Sequence, residues 1–257
     1  MQSYLKHYID GAWVESEGGR RHEVIDPSTE QPCTEITLGT AADVDKAVAA
    51  AKKAFASWSQ TSIEERAAIL EKVIAGMKAR LPELAAATSR EMGAPISFAQ
   101  MAQVPAGLGH FMGTLAALRE FKFSEQVGNS RVVHEPVGVV AMITPWNWPL
   151  NQICAKVAPA LAAGNTMILK PSEEAPSNAL ILAEILHDAG VPGRPAISTR
   201  QRRQEPKAST ESVAQSLGTW MPASTAARMI EVPAATVTAK PSIVRLTCSA
   251  RPLAGVP

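Results

Sequence analysis

With 257 residues, of which 46% are hydrophobic and 19% charged, the chain is long enough to bury a sizeable core in one or two domains. A net charge of +1 offers little for nucleic acid or an anionic membrane to act on, so small-molecule chemistry is the expectation. Three widely spaced cysteines, Cys33, Cys154 and Cys248, argue against a secreted disulfide framework. Residues 1–9 hold no apolar signal region and no window reaches the roughly 18 apolar residues of a spanning helix, so the reading is a cytoplasmic protein without a membrane partner.

Taken in chain order, Tyr8-Ile9-Asp10-Gly11-Ala12-Trp13 alternates apolar and polar residues about an Asp-Gly turn signal, which predicts a hairpin at a domain edge. Val44, Ala47, Val48, Ala51 and Phe55 recur at helical spacing and predict a helix over 41–58. Ser62 and Glu65 form a capping box ahead of the stripe Ile69, Leu70, Val73, Ile74 and Met77. Pro82 and Gly93 bracket a third helix, and a fourth is expected over 97–118, weakened or kinked by Pro105, Gly107 and Gly109. The segment 119–136 reads as a protruding hairpin with strands at 121–123 and 131–134 about a polar centre at 126–130. Gly138-Val139-Val140-Ala141-Met142-Ile143 is a continuous apolar run that predicts a strand buried on both faces. A helix over 149–163, a second strand over 165–169 and a helix over 177–189, closed by Gly190, complete the pattern. Strand, helix, strand, helix fits a parallel unit of a doubly wound α/β sheet, in which ligands bind beyond the carboxyl ends of the strands.

Composition changes after Gly193. Residues 1–193 hold 16 Lys+Arg and 21 Asp+Glu of the totals 25 and 24, whereas 194–257 hold 9 and 3, with no Asp, Asn, His, Phe or Tyr. Such a segment has little from which to build a core and reads as a disordered, weakly basic tail.

Both strand ends carry residues that suit chemistry. The first runs into Thr144-Pro145-Trp146-Asn147-Trp148-Pro149, where two prolines stiffen the turn; Asn147 suits either of two roles, an oxyanion donor or an amide that satisfies the turn itself. The second runs into Lys170-Pro171-Ser172-Glu173-Glu174-Ala175-Pro176, whose two signs of charge suit a nucleotide or simply a solvated loop. No GxGxxG loop is present. None of the three cysteines has the electropositive setting of a nucleophile: Cys154 lies on an apolar helix face, Cys33 in a polar turn and Cys248 in the tail. The five histidines are scattered singly and suggest no metal site.

PWNWPL at 145–150, followed by AAGNTMILKPSEEAP at 162–176, resembles the NAD(P)-dependent aldehyde dehydrogenase family. The likeness runs from YIDGAW at 8–13 through DPST at 26–29 to AGVPG at 189–193. It implies a partial doubly wound, Rossmann-like parallel sheet with an N-terminal helical layer in residues 1–193, the catalytic domain missing. It also implies that Asn147 is the oxyanion-hole side chain, that Ile143, Thr144, Pro145 and Trp146 line the nicotinamide side of the cofactor cleft, and that Lys170, Ser172 and Glu173 bind the adenosine ribose. NAD is the expected cofactor through Glu173, with NADP open because Ser172 and Lys170 suit a 2′-phosphate. An aldehyde is the implied substrate and the hairpin at 119–137 the implied contact of a homo-oligomer. Beyond Gly193 the family's GxTxxG segment, its ELGG glutamate and its nucleophilic cysteine are not found, which suggests a shifted reading frame and a chain inactive by itself. The competing reading is a non-catalytic assembly subunit that pairs with a full-length relative.

Overall fold

In the computed structural model of the protein, the described residues are 1–191 and the backbone of Ala196–Ile197. The Asp-Gly turn makes the expected hairpin: Asp10 and Gly11 both take positive φ, 50° and 81°, which a two-residue primed turn requires. It joins β2 (Lys6–Ile9) to β3 (Ala12–Glu15). Preceding them, β1 (Gln2–Tyr4) pairs parallel with β5 (Gln31–Leu38), and β5 pairs antiparallel with β4 (Arg20–Asp26) to give a three-stranded sheet.

Helix α1 (Ala41–Trp58) starts at a capping box of Thr40 and Asp43, and α2 (Ile63–Ala79) at the expected one of Ser62 and Glu65. Helix α3 (Leu81–Met92) has Pro82 in its first turn and ends at Gly93 with φ 78°. The expected single helix over 97–118 is instead three pieces: α4 (Ile96–Phe98), a π-helical turn at Ala99–Gln103, and α5 (Val104–Glu120). Pro105 has no N–H to donate, and the wider turn accommodates it, with Val104 N–H reaching back to Ala99 O.

The protruding hairpin is present, but its first strand lies further along than expected. Strands β6 (Ser124–Val127) and β7 (Ser130–Val133) pair about Gly128-Asn129. Residues 121–123 are held differently, because Phe121 and Phe123 pack edge-on at 4.8 Å and the Arg66 guanidinium lies 4.9 Å from the Phe123 ring centre. That cluster ties the base of the hairpin to α2.

Among the described residues the second sheet has five strands in the order β3-β2-β10-β9-β8, where β8 is Val139–Ile143, β9 is Thr166–Lys170 and β10 is Ala196–Ile197. Strands β8, β9 and β10 run parallel, and β2 joins β10 antiparallel. Between β8 and β9 runs α6 (Pro149–Ala162), and after β9 comes α7 (Ser177–Asp188), with Gly190 at φ 79°. Ala196–Ile197 fall inside the segment expected to be disordered and form a strand; the remainder of 192–257 lies outside the described residues.

Side chains alternate across a strand, so the two faces of β9 meet different neighbours. Met167 and Leu169 enter the main core with Leu150, Ile153 and Val157 of α6 and Ile181 and Leu182 of α7. Ile168 packs with Ala47 of α1 on the opposite face, where Thr166 Oγ1 also donates to Ala51 O at 2.8 Å. The sheet thus has helices on both sides. Strand β8 corrects the expectation of a strand buried twice over: of its five residues only Met142 is buried, and Ile143 is 61% exposed. Among the described residues it is the last strand of the sheet, paired along one edge, and Met142 is directed to the helical core while Ala141 and Ile143 lie on the other face.

Close packing sets where α6 begins. A Cβ on Gly107 of α5 would stand 2.8 Å from Leu150 Cγ and 3.4 Å from Cys154 Sγ, so only glycine lets α5 lie this near α6. No helix among the described residues is long and apolar enough to cross a membrane.

Candidate active site

The register between β8 and β9 brings Ile143 opposite Lys170, and Thr144 N donates to Lys170 O at 3.2 Å just beyond the last pair. The two motifs therefore leave the sheet side by side at one edge, the carboxyl ends of parallel strands. From there the first turns toward α6 and the second toward α7.

In the first motif Thr144 is buried, and its Oγ1 has no hydrogen-bond partner among the described residues. Pro145, Trp146 and Asn147 are exposed. Trp148 caps the backbone of α6 and packs edge-on against Phe98 at 5.8 Å, and Gln152 N donates to its carbonyl at 2.9 Å. Pro149 then suits the first helical turn, where its absent N–H costs nothing. Held by Trp148, Pro149 and the Thr144 amide, the turn leaves the Asn147 side chain exposed.

In the second motif Lys170 Nζ donates to Glu173 Oε2 at 2.7 Å, with both side chains less than a quarter exposed. Burial acts to raise the Glu173 carboxyl, but hydrogen bonds from Lys170 and from its own backbone, together with the nearby Lys170 and His22 charges, hold it below the ordinary carboxylate range. Glu173 therefore stays an anion and an acceptor. Ser172 Oγ accepts from Glu174 N at 3.3 Å, within the turn itself. Pro171, Ala175 and Pro176 are buried, so the turn is anchored at both ends. His22 comes from β4 of the other sheet, and nothing in the local run Arg20-Arg21-His22-Glu23 signals its approach to Glu173.

Neither described cysteine suits nucleophilic chemistry. Cys154 is fully buried in α6, and burial drives its thiol far above the usual range. Cys33 stands in β5 rather than in a turn; its thiol donates to Val24 O at 3.3 Å and is raised chiefly by burial. Cys248 lies outside the described residues. Three of the histidines are engaged in pairs: His7 lies 3.9 Å from Asp43, His110 bonds Asn151 at 2.7 Å and Tyr8 bonds His187 at 2.8 Å.

A sequence model of the aldehyde dehydrogenase family matches residues 13–195. A 3-succinoylsemialdehyde-pyridine dehydrogenase from Pseudomonas sp. is 53% identical over 193 residues, which cover 75% of this chain and 40% of that protein. Among solved structures, an aldehyde dehydrogenase from Bartonella henselae superposes with a TM-score of 0.76 at 43% identity, covering 78% of this chain and 43% of the other. Aldehyde dehydrogenase C from Pseudomonas syringae, crystallised as a mutant with NAD+ and octanal, gives a TM-score of 0.75 at 46% identity, covering 77% and 41%. The chain spans about 40% of the length of the curated relatives it matches. A family match over most of the chain and close likeness to solved members lead to one conclusion: the protein belongs to the aldehyde dehydrogenase family, whose N-terminal portion it carries.

Proposed function

We propose that residues 1–193 form the first part of the nucleotide-binding domain of an NAD(P)-dependent aldehyde dehydrogenase, a partial Rossmann-like sheet whose β8 and β9 tips bind the cofactor and steady the reacting aldehyde. The observation that carries this reading is the pairing of Ile143 with Lys170, which gathers both motifs at one sheet edge.

The residues present suit a dinucleotide. Glu173, kept ionised, accepts from the 2′- and 3′-hydroxyls of the adenosine ribose, and Lys170 donates beside it. Ser172 lies in the same turn and with Lys170 would receive a 2′-phosphate, but the Glu173 anion opposes that charge, which favours NAD over NADP. Ile143 and Trp146 offer exposed apolar surface toward the nicotinamide side, Pro145 stiffens it, and the unpartnered Thr144 hydroxyl supplies a polar atom there. When bound, the cofactor supplies the hydride acceptor for aldehyde oxidation. Asn147 donates its amide N–H to the oxygen of the aldehyde as negative charge develops, a contribution of about 2.7–4 kcal/mol for a well-placed donor. The exposed β6–β7 hairpin, with Val127 and Val133 open to solvent, supports the reading of 119–137 as a contact between copies.

Titration calorimetry of the chain with NAD+ tests the proposal. Saturable binding is expected, and Glu173→Ala should weaken it about tenfold or more while leaving the thermal midpoint nearly unchanged, since a charged acceptor to two hydroxyls is lost from a partly exposed turn. Equal affinity in the variant would contradict the assignment of the ribose site.

A further inference from the structure

We propose that Glu91 is the positioning residue of the nucleotide-binding turn: supplied from α3, its carboxylate caps the start of α7 and so fixes the segment 171–176 that presents Glu173. The inference deepens the nucleotide reading of Lys170 and Glu173 and rests on it.

Glu91 sits in the last turn of α3 and is 5% exposed. Its Oε2 accepts from Ser177 N at 2.9 Å, and its Oε1 accepts from the Ser177 hydroxyl. Ser177 is the first residue of α7, and the residue before it, Pro176, provides no side-chain cap and no N–H. The helix therefore begins without a local cap, and the carboxyl group that meets its first amide comes from 86 positions earlier in the chain. Burying a carboxyl group is expensive unless it is hydrogen-bonded, and here burial holds its pKa above the ordinary carboxylate range, offset only in part by the Ser177 hydroxyl and amide, Thr34 and Arg90. Besides its internal bonds and the buried Pro171, Ala175 and Pro176, the turn is tied at its start by the β8–β9 ladder and at its end through Ser177. Glu173 lies between these points, four residues before Ser177. With the end released, Glu173 keeps its bond to Lys170 at the strand tip, but the backbone that follows it loses its tie to α3.

The fold does not depend on this contact alone. Asn178 Nδ2 donates to Thr88 Oγ1 at 2.8 Å, and Arg80 joins Glu184 at 2.6 Å, so α3 and α7 stay clasped when the cap is altered. Glu91→Gln keeps the size of the side chain but replaces one of its two oxygens with an NH2 group, so it can no longer accept from both the Ser177 amide and hydroxyl, and no cavity opens.

The test is a double-mutant cycle on the affinity of the full chain for adenosine 5′-monophosphate, with wild type, Glu91→Gln, Glu173→Ala and the double variant. Glu91→Gln should weaken binding about tenfold when Glu173 is present and less than about twofold when it is absent, because positioning matters only while there is something to position. An unchanged affinity, or an equal loss in both backgrounds, overturns the assignment of Glu91 and leaves the ribose site standing. Failure of the wild-type chain to bind the nucleotide instead removes the site reading itself, and this inference with it. Should Glu91→Gln not fold, Ser177→Ala, which deletes one of the two hydrogen bonds from the other side, takes its place with the same expected and contrary results.

Discussion

Purified and mixed with NAD+ and a panel of aldehydes, the 257-residue chain should give no rise in NADH absorbance above the enzyme-free rate. Oxidation by this family's route begins with a thiolate attacking the carbonyl, and the thiolate, not the thiol, is the competent form. Cys154 is fully buried away from any substrate, and burial raises its thiol well above the usual range. Cys33 donates its thiol proton to Val24 O and is raised by burial as well. Cys248 falls beyond the residues that the family matches, 13–195. In the proposed role, Asn147 would stabilise charge only once a nucleophile has produced it, so a well-placed amide accelerates nothing by itself. Turnover that survives further purification, and that is lost on alkylation of the thiols, would contradict this.

The second large effect concerns the support beneath the site. Ile153→Ala should lower stability by about 2–5 kcal/mol, which for a chain of this size moves the thermal midpoint on the order of 10 °C. Ile153 is fully buried in α6, inside the cluster that joins α6 to Met167 and Leu169 of β9. The helix is also packed closely against α5, where Gly107 lies against Leu150 and Cys154, so it has little freedom to shift as a body. Because α6 starts two residues after Asn147, the same substitution should also loosen the turn that carries it. Differential scanning calorimetry checks the first part; a midpoint within about 2 °C of wild type would show that the site relaxes and that the packing argument is wrong.

What could be read from the residues followed the strength of the local signal. The Asp10-Gly11 hairpin, the Ser62/Glu65 box and the Gly93 and Gly190 helix ends are written in a few adjacent residues and appear where expected. The Thr40/Asp43 cap is a weaker pattern, since Asp stands where Glu or Gln is usual, and its carboxylate also accepts from Ser16, 27 residues away. Strands β4 and β5 gave no sequence signal. Arg20-Arg21-His22-Glu23 is charged, and of β4 only Val24 is buried, so these residues are strand because of their pairing across the turn after Asp26. The apolar run of β8 misled in the other direction, since its composition suits a doubly covered strand whereas its position is the end of the sheet.

At the site the same division holds. Lys170 and Glu173 could be picked out by their place after a strand, and their mutual contact at 2.7 Å is a matter of turn geometry that spacing alone does not give. Ser172 was legible as a polar neighbour, and its hydroxyl is engaged within the turn. Glu91 reaches the second motif from an element far away in sequence, and no local pattern points to it.

Hydrogen exchange of the chain with and without saturating NAD+ tests the central claim most directly, because it asks where the ligand sits as well as whether it binds. Added protection is expected at 143–148 and 170–174, the two segments that leave the sheet beside the Ile143–Lys170 pair, with the β6–β7 hairpin unchanged. Unaltered exchange in both segments, or protection that appears only elsewhere, would contradict it.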